Sequence, residues 1–208
     1  MKKIYYFTNI APHYRSALWS QLASNRNFDF HFAFGENYSK TRIKSIEFQF
    51  PPFQKPNLHR LKNISLGNIL IWQIGTLEII WNHKIDIAIF MGDMNVLSNW
   101  IGAIICRMWG IKVVFWGHGF SGGESFVKKT FRIAFNRLAH EHLLYGNHAK
   151  ELMLKHGFSN DKLFLVYNSL NYQRSVDLRK HYLQKSREVT FSFFKHPDLP
   201  TLIFIGRL

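Results

Sequence analysis

Residues 113–120, "VVFWGHGF", begin as a buried strand and then abruptly stop being one. The first four residues are β-branched or aromatic, which are the types that fit a packed, pleated surface. His118 then follows between Gly117 and Gly119, two residues that add no packing and cost backbone entropy. An apolar strand that ends in this way predicts a loop whose backbone comes close to another group.

The segments on both sides of this stretch alternate between short apolar strands and helical patterns. We expect strands at 3–8, 28–34, 43–50, 85–90, 111–116, 142–145 and 163–167. We expect helices at 14–23, 67–81, 96–108, 124–139 and 147–156, with a proline-bearing loop at 51–63. Strands that alternate with helices in this way predict an α/β fold: a Rossmann-like, doubly wound parallel sheet with helices on both faces.

The composition is that of a globular, strongly basic protein. Of its 208 residues 47% are hydrophobic, and 27 Lys and Arg face 13 Asp and Glu, which gives a net charge of +14. Such a charge attracts phosphates in nucleic acid, anionic lipid or a diphosphate ligand. Because no nucleic-acid-binding motif is recognisable, we do not expect nucleic acid as a partner.

The chain shows no targeting or membrane-spanning pattern. Its N-terminal apolar run is too short and too polar for a signal peptide, and no apolar run reaches the roughly 18 residues that a spanning helix needs. The single cysteine, Cys106, excludes an intrachain disulfide. These features agree with a reducing cytoplasm, and peripheral attachment to the inner face of the membrane stays open.

The loop after the 111–116 strand is the first candidate site. Ligands of open α/β sheets bind outside the carboxyl ends of the strands, so Gly117, His118 and Gly119 are predicted to lie against a ligand. The alternative is that His118 is a turn residue whose imidazole bonds a nearby carbonyl. No His, Cys or carboxylate stands at a usable spacing for a metal site, so none is expected.

Two further strand ends carry polar side chains. The stretch "TNIAPHYR" enters the first helix, whose N-terminus could hold an anion, and it supplies Asn9, His13, Tyr14 and Arg15. The alternative there is a proline turn with an ordinary surface arginine. In "MGDMN", Asp93 and Asn95 are candidates either for binding sugar hydroxyls or for capping the next helix. The absence of GxGxxG disfavours a dinucleotide site.

The 124–139 helix is amphipathic. Apolar residues at helical spacing predict a core-facing stripe made of Val127, Phe131, Ala134, Phe135 and Leu138. Basic residues populate the other faces, namely Lys128, Lys129, Arg132 and Arg137. The basic side is either simply solvated or lies on an anionic leaflet.

Several stretches together resemble the N-terminal domain of the retaining glycosyltransferases of family 4, which have the GT-B fold. Residues 137–172, "RLAHEHLLYGNHAKELMLKHGFSNDKLFLVYNSLNY", resemble the end of that domain. "PTLIFIGRL", residues 200–208, is similar to the first strand of the second domain. "VVFWGHGF" and "TNIAPHYRSALW" resemble the family's histidine-ended strand and its first strand–loop–helix.

The resemblance implies a domain plan and a reaction. It implies an N-terminal acceptor domain at 1–170, a helix and interdomain linker at 171–200, and the first strand of a donor-binding domain at 201–208. Such enzymes transfer a sugar from a nucleotide-diphosphate donor to a hydroxyl acceptor with retention, without a cofactor or an obligatory metal. Because the chain ends before the family's later lysine and carboxylate motifs, we expect these 208 residues to fold but not to catalyse alone.

The resemblance also implies residue roles. His118 would reach the transferred sugar as the catalytic residue. The donor would be bound by Gly117, Gly119, Gly206 and Arg207, and an arginine fork suits the diphosphate oxygens. The acceptor would be bound by Asn9, His13, Tyr14, Arg15, Asp93 and Asn95. The first loop lacks the Gly-Gly pair that many members carry.

The implied function is sugar transfer in cell-surface glycan synthesis. The expected partners are a nucleotide sugar, a glycan or lipid-linked acceptor, and an anionic membrane surface. One alternative is a sugar-nucleotide epimerase of the same fold, which product analysis separates from a transferase. The other is a non-catalytic, basic membrane-binding module.

Overall fold

A computed structural model describes residues 1–35, 57–67, 69–120, 122–168 and 171–185, together with Ser192, Phe194, His196, Leu199 and Pro200. The chain divides into two compact units, Met1–Leu170 and Asn171–Leu208. The strands expected at 43–50 and 201–205, and the candidate residues Gly206 and Arg207, lie outside the described residues.

The first unit contains eight strands and five helices among its described residues. The strands are β1 (Lys2–Thr8), β2 (Phe28–Gly35), β3 (Leu58–Leu66), β4 (Leu70–Ile74), β5 (Ile87–Met91), β6 (Lys112–Gly117), β7 (Glu141–Leu144) and β8 (Leu163–Leu165). The helices are α1 (Ser16–Ala23), α2 (Thr76–Asn82), α3 (Leu97–Met108), α4 (Phe126–Asn136) and α5 (Asn147–Lys155). The second unit carries α6 (Tyr172–Leu183), which Asn171 caps by accepting a hydrogen bond from the backbone N–H of Arg174.

The eight strands form one sheet in the order β4-β3-β2-β1-β5-β6-β7-β8. All pairs are parallel except β3 with β4. The chain builds the sheet outward from β1 to β4 and then returns to the other side of β1 with β5. This switch in strand order puts a crevice at the carboxyl ends of β1 and β5, which is where such sheets bind ligands.

Apolar residues cover both faces of the sheet. Along β1, Tyr5 and Phe7 belong to one buried cluster and Ile4 and Tyr6 to another, as alternation along a strand requires. The first cluster receives side chains from α2, α3 and α4, and the second receives Trp19 from α1. The predicted Rossmann-like sheet with helices on both faces is therefore confirmed.

The region 58–81 was predicted wrongly. We expected a loop followed by one long helix at 67–81, but β3 and β4 form an antiparallel hairpin and α2 begins only at Thr76. The segment 69–81 is mostly apolar and is interrupted by Gln73 and Glu78, and periodicity alone does not separate a buried strand from a helix in such a segment. Gly67 and Gly75, both with positive φ, mark the two turns that bound β4.

The outer side of β4 is fastened to the loop between β5 and α3. The backbone N–H of Ile71 donates to the carbonyl of Asn95 at 2.9 Å, and the N–H of Gln73 donates to Ser98 Oγ at 3.2 Å. The Gln73 side chain is itself buried and donates to the carbonyl of Thr8 at 3.0 Å. The hairpin therefore supports two of the loops at the carboxyl edge of the sheet.

Candidate functional site

An open cleft of about 570 Å³ lies at the carboxyl edge of the sheet, at the switch in strand order. Loops that follow β1, β5, β6, β7 and β8 line it. The cleft brings together seven of the residues that were predicted from the sequence: Asn9, Tyr14, Arg15, Asp93, Gly117, His118 and Gly119.

The two glycines beside His118 lie against other atoms of the protein, most closely at Gly119. A Cβ on Gly117 would lie 3.4 Å from both Cα and N of Gly92, because the loops after β5 and β6 are in contact there. Gly119 has a φ of +57°, and a Cβ on it would lie 3.0 Å from Leu144 Cδ2 and from Met153 Sδ. These close approaches hold the residue between them in a fixed place at the strand end.

His118 is exposed and lines the cleft. Its ring meets the ring of Tyr145 edge to face, with the two centroids 4.8 Å apart. The imidazole is therefore oriented by an aromatic neighbour while it stays open to a ligand.

Arg15 forms part of the floor of the cleft. Its side chain is buried, since only 8% of the residue is exposed, so the interpretation as an ordinary surface arginine is wrong. Its Nη2 donates to Tyr145 Oη at 2.9 Å and to Asn168 Oδ1 at 2.6 Å. The guanidinium also lies 5.0 Å from the centre of the Tyr145 ring and 5.9 Å from that of Trp116.

The partners of Arg15 within the described residues are neutral. No carboxylate there forms an ion pair with it, and its Nε is buried without a hydrogen-bond partner among these residues. A buried cation that only neutral groups surround favours an anion nearby, because its charge is otherwise uncompensated. The cleft is therefore electrostatically suited to a phosphate or a carboxylate.

Tyr145 and Asn168, which hold Arg15, come from the ends of β7 and β8. The backbone N–H of Tyr145 donates to the carbonyl of Gly117 at 3.3 Å. Tyr167 has a φ of +54°, a left-handed conformation that is uncommon for a residue with a side chain, and Asn168 directly follows it. Neither Tyr145 nor Asn168 was among the site residues predicted from the sequence, although each follows an apolar strand.

Arg132 also lines the cleft, but a carboxylate neutralises its charge. It binds Glu124 with two hydrogen bonds, Nε to Oε2 at 2.7 Å and Nη2 to Oε1 at 2.6 Å. These hydrogen bonds hold the pKa of Glu124 below its usual value. Since Arg132 Nη1 also donates to the carbonyl of Gly119 at 3.4 Å, the pair joins α4 to the loop that carries His118.

The remaining predicted residues lie at the edge of the cleft or away from it. Asp93 lines the cleft, and its Oδ1 accepts a hydrogen bond from the backbone N–H of Asn95 at 2.9 Å. Asn95 lines a different, neighbouring cavity instead. His13 lies in the short 3₁₀ turn His13–Arg15 before α1, and its side chain is outside what the structure describes.

Within the described ranges, no cluster of three or more His, Cys, Asp or Glu side chains could hold a metal ion. In the same ranges no helix is long and apolar enough to cross a membrane.

The amphipathic helix α4 differs from its predicted arrangement. Phe135 is buried in the core as expected, but Val127, Phe131 and Ala134 are exposed, so the predicted apolar stripe does not face the core along its whole length. The N-terminal half of α4 thus presents apolar side chains beside Lys128 and Lys129 to solvent.

Comparison with known proteins identifies the fold. No protein-family model and no curated protein matches the chain. Among solved structures it is similar to the UDP-GlcNAc 2-epimerase of Methanocaldococcus jannaschii, with 18% identity and a TM-score of 0.54 over 92% of this chain and 52% of that one. It is also similar to the UDP-GlcNAc 2-epimerase of Neisseria meningitidis bound to UDP-GlcNAc, with 16% identity and a TM-score of 0.52 over 94% and 55%.

A third similar structure is the UDP-N-acetylglucosamine 2-epimerase of Rickettsia bellii, with 12% identity and a TM-score of 0.56 over 93% of this chain and 52% of that one. At these identities the likeness shows the fold: the chain has the Rossmann-like α/β fold found in about half the length of these GT-B-type enzymes.

Proposed function

We propose that the first unit is the acceptor-binding half of a retaining glycosyltransferase that uses a nucleotide-diphosphate sugar. The observation that carries the proposal is the buried cation Arg15 beneath an open cleft that the exposed His118 lines. A cleft with this charge and an exposed imidazole suits a reaction in which negative charge develops on a leaving diphosphate. The resemblance to family 4 glycosyltransferases supports the same reaction.

The described side chains fit the needs of such a transfer. Its demands are to position an acceptor hydroxyl and to stabilise the leaving diphosphate. The carboxylate of Asp93 can accept a hydrogen bond from the acceptor hydroxyl. His118 can donate a hydrogen bond to the sugar or to the departing oxygen, and Arg15 supplies positive potential from below.

A second candidate is sugar-nucleotide epimerisation, and the names of the similar solved structures favour it. Epimerisation at a sugar carbon removes a proton and returns it on the opposite face, so it needs a proton-transfer group on each side of the sugar. Asp93 and His118 are the groups in the described cleft lining that could serve. This reaction consumes no acceptor.

Product analysis tests the two candidates. The protein, in the longest form in which the cell makes it, is incubated with isotope-labelled UDP-sugars, with and without bacterial membrane lipids and glycans. Transfer releases UDP and moves the label into the acceptor fraction, whereas epimerisation yields a new nucleotide sugar or free sugar without any acceptor. His118→Ala should reduce the measured reaction, and His148→Ala, which changes an exposed histidine outside the described cleft lining, should not. If neither product forms, both proposals are overturned.

A membrane surface is proposed as a partner on the basis of α4. Its exposed apolar residues and Lys128 and Lys129 match the pattern of helices that lie on anionic leaflets. Co-sedimentation with anionic vesicles should therefore weaken as salt shortens the range of the attraction. Equal binding to neutral and anionic vesicles, or none to either, would contradict it.

A further inference from the structure

A second cavity, of about 410 Å³, lies beside the cleft and has a different chemistry. We refer to it as the groove. Its lining is mostly apolar and comes from β4, from α3 with the loop before it, and from α4: Leu70, Met94, Asn95, Leu97, Trp100 and Phe131, with Lys128 as its one cation among the described lining residues.

The groove is open to solvent and its apolar walls are incompletely covered. Phe131 is 59% exposed and Leu70 is 38% exposed, which is unusual for large apolar side chains on either side of a cavity. The position of Trp100 is fixed, since its Nε1 donates to the carbonyl of Met94 at 2.9 Å. The wall that Trp100 contributes to the groove is therefore held in place.

Lys128 gives the groove a positive rim. Its side chain is 54% exposed, and its Nζ lies 3.7 Å from Glu124 Oε1. That oxygen already accepts a hydrogen bond from Arg132 Nη2 at 2.6 Å, so the glutamate charge is shared between two cations. Lys129, the next residue, is exposed as well. An excess of positive charge thus adjoins an apolar cavity.

Residues that line the groove are adjacent in the sequence to residues that line the cleft. Met91, Gly92 and Asp93 line the cleft, and the next two residues, Met94 and Asn95, line the groove. On α4 the same change occurs over one residue, because Phe131 lines the groove and Arg132 lines the cleft. The cleft and the groove are therefore neighbours, which is the arrangement that a ligand with an apolar part and a polar part needs.

We propose that the groove binds the hydrocarbon chain of an anionic lipid whose phosphate lies at Lys128. The apolar walls exclude water from the chain, and the lysine compensates the phosphate. In combination with the proposed glycosyl transfer, on which this step rests, the acceptor is a lipid phosphate that carries its hydroxyl or sugar into the cleft. Lipid binding by the groove does not depend on that reaction.

Photo-crosslinking tests the occupant. The probe is phosphatidic acid with a diazirine at the end of one acyl chain, placed in neutral phosphatidylcholine vesicles with the 208-residue chain, and the labelled peptides are mapped by mass spectrometry. We expect labelling of Met94, Leu97, Trp100 or Phe131. The same diazirine chain on phosphatidylcholine should label these residues several-fold less, because it has no net charge for Lys128.

Paired variants separate the groove from its surroundings. Phe131→Glu should lower groove labelling about tenfold, because it puts a charge into the apolar wall, whereas Val127→Glu, on the same helix but outside the groove lining, should change it less than about twofold. Leu97→Glu and Ile104→Glu form a second pair on α3, with Ile104 exposed and outside the groove lining. Circular dichroism checks that each variant is folded.

Each of four outcomes would overturn the proposal. Labels confined to Phe126 and Val127, or equal losses in the two α4 variants, would mean adsorption of α4 to the vesicle surface. Labels at the other exposed apolar cluster, Trp81, Met108 and Trp109, would place the lipid elsewhere. No label above the phosphatidylcholine background would mean that the groove takes a protein segment or nothing. Since no nucleotide sugar enters the assay, these outcomes are distinct from failure of the proposed transfer.

Discussion

Replacing Gly119 by alanine tests the packing that holds His118 in place. The backbone at Gly119 has a φ of +57°, which costs a residue with a Cβ about 1 to 2 kcal/mol. The new methyl would also lie 3.0 Å from Leu144 Cδ2 and Met153 Sδ, both of them buried, and overpacking of this kind costs about 1 to 3 kcal/mol. We therefore expect the free energy of unfolding to fall by about 2 to 5 kcal/mol.

Gly123→Ala is the matched control for that substitution. Gly123 has a φ of +69°, but no atom lies within 4 Å of its added Cβ, so only the backbone cost of about 1 to 2 kcal/mol should remain. Urea unfolding followed by tryptophan fluorescence gives both values, and the six tryptophans report on the first unit because all precede residue 117. If the two variants lose the same stability, the crowding argument at Gly119 is refuted.

Three further predictions concern single side chains. In the longest form of the protein that the cell makes, His118→Ala should lower turnover about 100-fold or more, while the free energy of unfolding changes by less than about 0.5 kcal/mol because the residue is exposed; a large loss of thermal stability with normal turnover of the folded fraction would make the residue structural. Burial lowers the pKa of His142 to about 4. Between about pH 6.5 and 4 the unfolded state therefore binds a proton that the folded state does not bind. The free energy of unfolding should fall by roughly 3 kcal/mol as the pH is lowered through that window. His142→Phe should remove that part of the loss in urea titrations at stepped pH, and an unchanged slope would contradict the assignment. Burial raises the pKa of the Cys106 thiol to about 12, so a thiol reagent should modify it only after urea unfolds the chain, and rapid modification of the native protein would show that the site opens.

The parallel part of the sheet was predictable because its strands are short, apolar runs that helices of regular spacing separate. β1, β2, β5, β6 and β7 all lie within two residues of their predicted bounds at each end. The β3–β4 hairpin was not predictable in the same way. Its existence depends on pairing between β2 and β3 and on the burial of Gln73, which are tertiary contacts that no local pattern encodes.

The candidate site was predictable from the sequence wherever the carboxyl end of a strand was predictable. Asn9, Asp93 and His118 were found because each follows an apolar strand, and in a parallel sheet such ends share an edge. Which of these side chains is buried was not predictable. Arg15 became the floor of the cleft only through Tyr145 and Asn168, whose strands lie more than a hundred residues further along the chain. The exposure of Phe131 was not predicted, because helical spacing identifies which residues share an apolar face but not whether another part of the protein covers that face.

The fastening of β4 to the loop before α3 also determines how this sheet behaves toward other copies of itself. A free edge strand is a template on which further strands can be added, and many proteins that aggregate do so through such an edge. Here the outward N–H groups of Ile71 and Gln73 are already used by Asn95 and Ser98, and the opposite edge, β8, is only three residues long. Neither end of the described sheet offers a long, vacant row of backbone donors, so edge-to-edge polymerisation is disfavoured at β4 by the segment that also lines the cleft and at β8 by the shortness of the strand.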